Sequence, residues 1–311
     1  MRVVIALGGN ALLRRGEPLS AEVQRNNVLQ AISLAVAPIA RAHEVVVTHG
    51  NGPQIGLLAL QSAAYRKVPS YPLDVLGAES EGMIGYLIEL ALAGELPGRD
   101  LATLLTQVEV DPADPAFAAP SKPIGPVYGK QEAERLGAET SWVFRPDAGG
   151  YRRVVPSPAP RRIREIAAIK LLLRAGAIVI CAGGGGIPVV ALPDGGVRGV
   201  EAVIDKDLSA ALLAEALEAD ALLLLTDVPA VWTRWPMENG APIGAVSAAA
   251  LRELSFAPGS MAPKVAAACR FVERTGRRAG IGALKDAPLI LAGMAGTIVQ
   301  PGAPGLPRAL R

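Results

Sequence analysis

Histidine and cysteine are nearly absent from this 311-residue chain, which has two of each: His43, His49, Cys181 and Cys269. Two cysteines are too few for a disulfide framework or a thiolate zinc site, and a reduced compartment is the simpler setting for them. Two histidines leave serine–histidine or cysteine–histidine catalysis little to stand on. Aromatic residues make up only 4% against 50% hydrophobic, so the core must be built from Ala, Val, Leu and Ile. A strong charge of one sign is missing too. The formal net charge is +2, too small to point to nucleic acid or a membrane surface as a partner. Long apolar runs are also lacking. The opening "MRVVIALGGN" holds a run of five apolar residues, too short for a secretory signal, and no stretch of about 18 unbroken apolar residues occurs. The expectation is a soluble, cytoplasmic protein. Lysine is scarce beside arginine, with seven lysines among 31 basic residues: Lys67, Lys122, Lys130, Lys170, Lys206, Lys264 and Lys285.

What the chain has is a set of short apolar runs without alternation: "VVIAL" (3–7), "VVVT" (45–48), "ATLLT" (102–106), "AIVIC" (177–181) and "LLLLT" (222–226). Such runs fit strands buried on both faces, as in a parallel sheet. Between them, apolar spacing near 3.6 predicts helices at 21–41, 53–65, 79–93, 160–175, 205–218 and 262–275. Strand and helix in repeated alternation argue for an α/β fold with a mainly parallel sheet. Two regions break the rhythm. Residues 109–160 are proline-rich and read as an excursion from the main sheet, a small subdomain or lid. Residues 188–204 read as a hairpin turning at Asp194-Gly195-Gly196.

Glycine turns follow three of the strands: "GGN" (8–10), "HGNGPQ" (49–54) and "GGGG" (183–186). At the carboxyl edge of a parallel sheet such turns present backbone N–H groups to anions, and four consecutive glycines suggest polyphosphate lying against bare backbone. The common phosphate motifs are excluded. No lysine is followed by Ser or Thr, as a Walker loop requires, and "GNGPQIG" spaces its glycines one residue too far for a dinucleotide fingerprint. The protein-kinase signatures are absent as well. Charged chemistry enters with "GVEAVIDKDLSAALLAEAL" (199–217), where Lys206 stands between Asp205 and Asp207 at a helix start. An Asp there caps free N–H groups, but a lysine opposes the helix dipole, which suits a lysine facing phosphate. "PGSMAPKV" (258–265) repeats the design with Lys264, and Thr226-Asp227 ends a strand where a nucleotide could lie. For His49, beside the glycines, two readings stand: a catalytic group, or a structural partner of nearby backbone.

The motifs "ALGGNALL", "VVVTHGNGPQIG", "GAESEGMIGY", "SKPIGPVY", "YRRVVPSP", "CAGGGGIPVV", "GVEAVIDKD", "LLLLTDV" and "PGSMAPKV" run in order through nearly the whole chain. Together they closely resemble the carbamate kinases of the amino-acid kinase superfamily. The resemblance implies a single domain over 1–311, a three-layer αβα sandwich around a central, mainly parallel sheet, with 109–160 as a protruding subdomain. It implies a homodimer and reversible phosphoryl transfer between ATP and carbamate, giving ADP and carbamoyl phosphate, with Mg²⁺. Carried over by motif, Gly8, Gly9, Asn10, Gly50 and Asn51 would hold the substrate. Lys206 and Lys264 would stabilise the transferring phosphate, Asp207 would organise them, and Lys122 would reach in from the subdomain. Gly183, Gly184, Gly185, Gly186, Thr226, Asp227, Val228 and Met261 would line the nucleotide side. "DAGGYRR" departs from the family pattern by being one residue short. Kinases of the same superfamily acting on another small carboxylate or a nucleoside monophosphate, or a non-catalytic nucleotide sensor, are the alternatives.

Overall fold

Unbroken apolar strands pair side by side when both faces are covered, and that is how the centre of this molecule is built. The computed structural model describes residues 1–14, 16–147, 149–234, 240–256 and 261–305, with 10 and 11 described by backbone alone. Six parallel strands run in the order Arg278–Ala283, Ala221–Thr226, Arg2–Leu7, Glu44–His49, Ile178–Ile180 and Leu101–Thr103. The antiparallel Thr297–Val299 and the short Ala245–Val246 extend the first edge to make eight.

Residue alternation divides the sheet's two faces. Val4, Ala6, Val46, Leu222 and Leu224 pack with residues of the helices Lys206–Ala216 and Met261–Thr275. Val3, Ile5, Leu7, Val45, Val47, Leu223 and Leu225 pack on the opposite face with residues from 28–40 and from the helix Leu73–Glu95. The result is three layers, αβα, around an aliphatic core.

From Arg2–Leu7 the chain steps one way to Glu44–His49, and later returns on the other side as Ala221–Thr226. That reversal creates a switch point beside the carboxyl end of the first strand, the place where open α/β sheets form a ligand crevice. Gly8, Gly50 and Thr226 all sit at this edge.

Several expected boundaries move. The predicted helix 160–175 is a strand, Pro160–Ile163, followed by a helix, Ile166–Arg174. The strand residues pair with Gln107–Val110, which overrides their helical spacing. The helix expected over 21–41 carries a π-turn at Ile32–Val36 just before Pro38, whose missing N–H interrupts the regular ladder. The hairpin is present, Ile187–Ala191 pairing antiparallel with Val197–Gly199. Within the proline-rich excursion, Lys122–Tyr128, Val143–Asp147 and Gly150–Val155 form a separate three-stranded antiparallel sheet beside the helix Lys130–Thr140. This sheet meets the body at a glycine crossing. A Cβ on Gly56 would stand 2.0 Å from the Gly125 Cα, so only two bare backbones fit there.

Candidate active site

The first strand runs on into Gly8 and Gly9, and the second into Gly50 and Asn51. Their backbones nearly touch: a Cβ on Gly50 would lie 3.1 Å from the Gly9 nitrogen and 3.4 Å from Cδ of Lys206. Gly8 donates its N–H to Leu225 O at 3.0 Å, tying the turn to the neighbouring strand. The side chain of Asn10 lies outside the described residues. Asn51 is buried and donates from Nδ2 to Ser80 Oγ at 2.8 Å.

Lys206 opens the helix Lys206–Ala216, and Asp205 caps it by accepting from the N–H groups of Asp207 at 2.9 Å and Leu208 at 3.3 Å. Its other oxygen accepts from Lys122 Nζ, 2.8 Å away on the outlying sheet. Asp207 takes Lys206 on one oxygen and Lys264 on the other, the latter at 3.0 Å. Lys206, Asp207 and Lys264 are all buried, at 8%, 3% and 8% exposure. Both lysines sit in the opening turns of their helices, where the dipole opposes a cation.

Two ammonium groups therefore share one carboxylate in a desolvated place. Burial pulls Lys206 below the ordinary lysine range; Asp207 counteracts this and Lys264 adds to it. Burial also works against the charge on Asp207, yet the two lysines outweigh it and hold the carboxyl at about 2. The trio carries one unbalanced positive charge facing the glycine turns, an arrangement suited to a phosphate oxyanion.

The four glycines have a different reason from the one expected. All of Gly183–Gly186 are buried, with φ of +67°, +99° and +84° at the last three. A Cβ on Gly183 would strike the His49 ring, on Gly184 the Asn51 amide, on Gly185 the Ile204 carbonyl, and on Gly186 Val108. Protein, rather than bare space for polyphosphate, fills the position of each missing side chain. Sheet order also separates these glycines from Thr226, Asp227 and Val228. Two strands intervene, a span of about 14 Å at 4.8 Å per strand. The glycine loop adjoins Gly50 and Asn51; Thr226–Val228 lie across the first strand. Met261 is half-buried at the start of the Lys264 helix, and residues 258–260 of its motif lie outside the described residues.

His49 is fully buried, with Nδ1 3.1 Å from Gly50 O and Nε2 without a partner among the described residues. Burial lowers it to about 4, so it is a neutral packing group against Gly183. Glu81 was not singled out from the sequence. Its oxygens accept from Gly183 N at 2.8 Å and Thr106 N at 3.1 Å, bracing the glycine loop, and burial raises its carboxyl to about 8. An acid on a helical pattern carries no sign of this; only the fold brings the loop to it.

The amino acid kinase family model matches residues 1–282. The carbamate kinase of Haemophilus influenzae is 58% identical over 298 residues, covering 96% of this chain and 96% of that protein. The carbamate kinase of Rhizobium meliloti is 57% identical over 304 residues, covering 96% and 93%. Among solved structures, carbamate kinase from Giardia lamblia bound to AMP-PNP superposes with a TM-score of 0.87 at 40% identity, covering 96% of this chain and 98% of that one. Identity at this level is sustained over nearly the full length: the chain belongs to the amino acid kinase family, among the carbamate kinases.

Proposed function

We propose that the protein transfers a phosphoryl group reversibly between ATP and carbamate, giving ADP and carbamoyl phosphate. The observation that carries this reading is the buried trio of Lys206, Asp207 and Lys264, one positive charge in excess, set against the glycine turns at Gly8–Gly9 and Gly50. Carbamate already bears an oxyanion, so the reaction needs no general base. Phosphoryl transfer needs alignment and neutralisation of charge on the transferring group, which lysines and backbone N–H groups supply. Lys206 and Lys264 stabilise that charge and Asp207, bonded to both, holds them in place. The backbone turns that follow the two strands, with Asn10 and Asn51, position the substrate.

Transfer is direct. Cys181 is buried with its thiol pushed well up by burial, and His49 is enclosed, so neither is offered as a covalent acceptor. Mg²⁺ enters as part of the nucleotide substrate on phosphate oxygens, its usual mode. The neighbouring acids are already engaged, Asp207 by two lysines and Asp205 by Lys122 and its helix. Thr226, Asp227, Val228 and Met261 border the nucleotide from across the first strand.

The 109–160 excursion acts as a lid that delivers Lys122. Its pairing with Asp205, at 2.8 Å, holds it next to the trio. A homodimer is favoured by the helix Leu73–Glu95, which leaves Val75, Met83, Tyr86 and Leu90 exposed on one face. Free, buried Cys181 and Cys269 suit a reducing cytoplasm, and among the described residues no helix is long and apolar enough to cross a membrane.

The test is ATP formation from carbamoyl phosphate and MgADP, beside acetylglutamyl phosphate at the same concentration. Turnover with the first alone is expected. Comparable turnover with both would move the protein to another member of the superfamily, and nucleotide binding without turnover would make it a sensor.

A further inference from the structure

A guanidinium taken partly out of water needs partners for its N–H groups, and Arg153 has none in the protein among the described residues. It is partly buried on the Gly150–Val155 strand, opposite Ile124 and two residues from the partner of Lys122. Its guanidinium carbon lies 3.9 Å from the centroid of the Trp142 ring. Stacking satisfies the face of the fork and leaves its edge N–H donors open. Arg153 lines a cavity of about 130 Å³ whose other walls include Ser70, Tyr71, Trp142 and Glu201. Glu201 accepts from Leu73 N through Oε1 at 2.9 Å and makes no ion pair with Arg153. Burial without a close counter-charge pulls Arg153 down to about 10, which Glu201 only partly offsets. The Lys206 trio does not line this cavity.

We infer that this cavity is a second anion site, built for a small oxyanion that still carries a proton, of the hydrogen phosphate or bicarbonate class. Arg153 offers a planar fork to two oxygens, and Ser70 and Tyr71 in the same wall carry hydroxyls able to donate as well. Glu201 in the same wall decides the class. A fully deprotonated anion would meet a carboxylate there, whereas an ion bearing O–H donates to it. The space admits an ion of four or five heavy atoms. Because Arg153 lies on the outlying sheet and Trp142 immediately precedes one of its strands, while Ser70 and Tyr71 belong to the body, the ion joins the two across the seam. The inference is independent of the reaction proposed above.

Trp142 is a built-in reporter. The intact protein is titrated with sodium phosphate, sodium bicarbonate and sodium sulfate at constant ionic strength, following tryptophan emission, with Trp142→Phe as the control that removes the signal. Saturable change with phosphate and bicarbonate, and much weaker binding of sulfate, is expected. Arg153→Lys keeps the charge and loses the fork, and should weaken binding by about tenfold or more. Tyr71→Phe removes one hydroxyl from an exposed position and should weaken it by about threefold, which keeps the test decisive if the Arg153 variant does not fold. The titration must persist in Lys206→Ala. Absence of saturation in the wild type, sulfate binding as tightly as phosphate, indifference to both Arg153→Lys and Tyr71→Phe, or loss of the signal in Lys206→Ala would each overturn the proposal.

Discussion

Replacing Lys206 by alanine should separate activity from stability. The ammonium is buried at 8% exposure, bonded to Asp207, and its stem passes over Gly50. Losing one preorganised charge contact to the transferring group typically costs about 3–4 kcal/mol, roughly 10²–10³ in kcat. Stability should respond differently. Removal takes away a cation that burial and Lys264 both disfavour and that opposes its helix dipole, and it leaves Lys264 and Asp207 as a balanced pair. The melting temperature should therefore move by no more than a few degrees, equivalent to about 1 kcal/mol. Asp207→Asn is the contrasting case. It leaves two buried ammonium groups without a carboxylate, a loss on the order of 3–5 kcal/mol, and should lower the melting temperature well beyond the lysine variant. The assay pairs initial rates of ATP formation with thermal unfolding of both variants. Near-normal kcat in Lys206→Ala would make the lysine a bystander. A larger stability loss in Lys206→Ala than in Asp207→Asn would refute the charge-excess reasoning.

Lys122→Ala should leave MgADP affinity unchanged by calorimetry while kcat/KM for carbamoyl phosphate falls at least about tenfold, or about 1.4 kcal/mol; an equal fall in both would put the lysine in the nucleotide site. Gly56→Ala drives a methyl into the Gly125 backbone and should shift the sheet that carries Lys122, so its effect on kcat/KM should largely vanish in a Lys122→Ala background; additive losses would sever that link. Stability should also follow pH through two buried groups. Glu81, raised from 4.5 to about 8, keeps a proton the unfolded chain releases, so stability falls as pH rises across that window. His49, lowered from 6.5 to about 4, refuses a proton the unfolded chain accepts, so stability rises between those values. The two oppose each other up to about pH 6.5, and Glu81 acts alone from there to about 8. The melting temperature should drop over that upper range in the wild type and lose this slope in Glu81→Gln; an unchanged slope would mean another group titrates.

The inner strands could be read from the chain because double-sided burial leaves continuous apolar runs such as "VVIAL" and "LLLLT". Arg278–Ala283 belongs to the same sheet and was not legible. Its "RAGIGA" holds two glycines, and a Cβ on Gly280 or Gly282 would collide with Ile290 at 2.4 and 2.7 Å. Helix packing removed the side chains that signal a strand. Lys206 and Lys264 could be picked out because each breaks the dipole preference of its helix, a local conflict visible in sequence. The role of "GGGG" was not legible, since the groups filling its Cβ positions, His49, Asn51, Ile204 and Val108, come from four places in the chain. Glu81 was hidden for the same reason, and so was Gly56, a helix residue whose partner Gly125 lies on the outlying sheet.

The central claim is direct transfer inside a charged cradle with no covalent acceptor on the protein. Exchange of radiolabelled ADP into ATP, measured with and without carbamate, tests it most directly. The account predicts exchange that requires carbamate and collapses by at least about a hundredfold in Lys206→Ala. Exchange at a comparable rate with MgATP and labelled MgADP alone would reveal a phosphorylated protein intermediate and contradict the account.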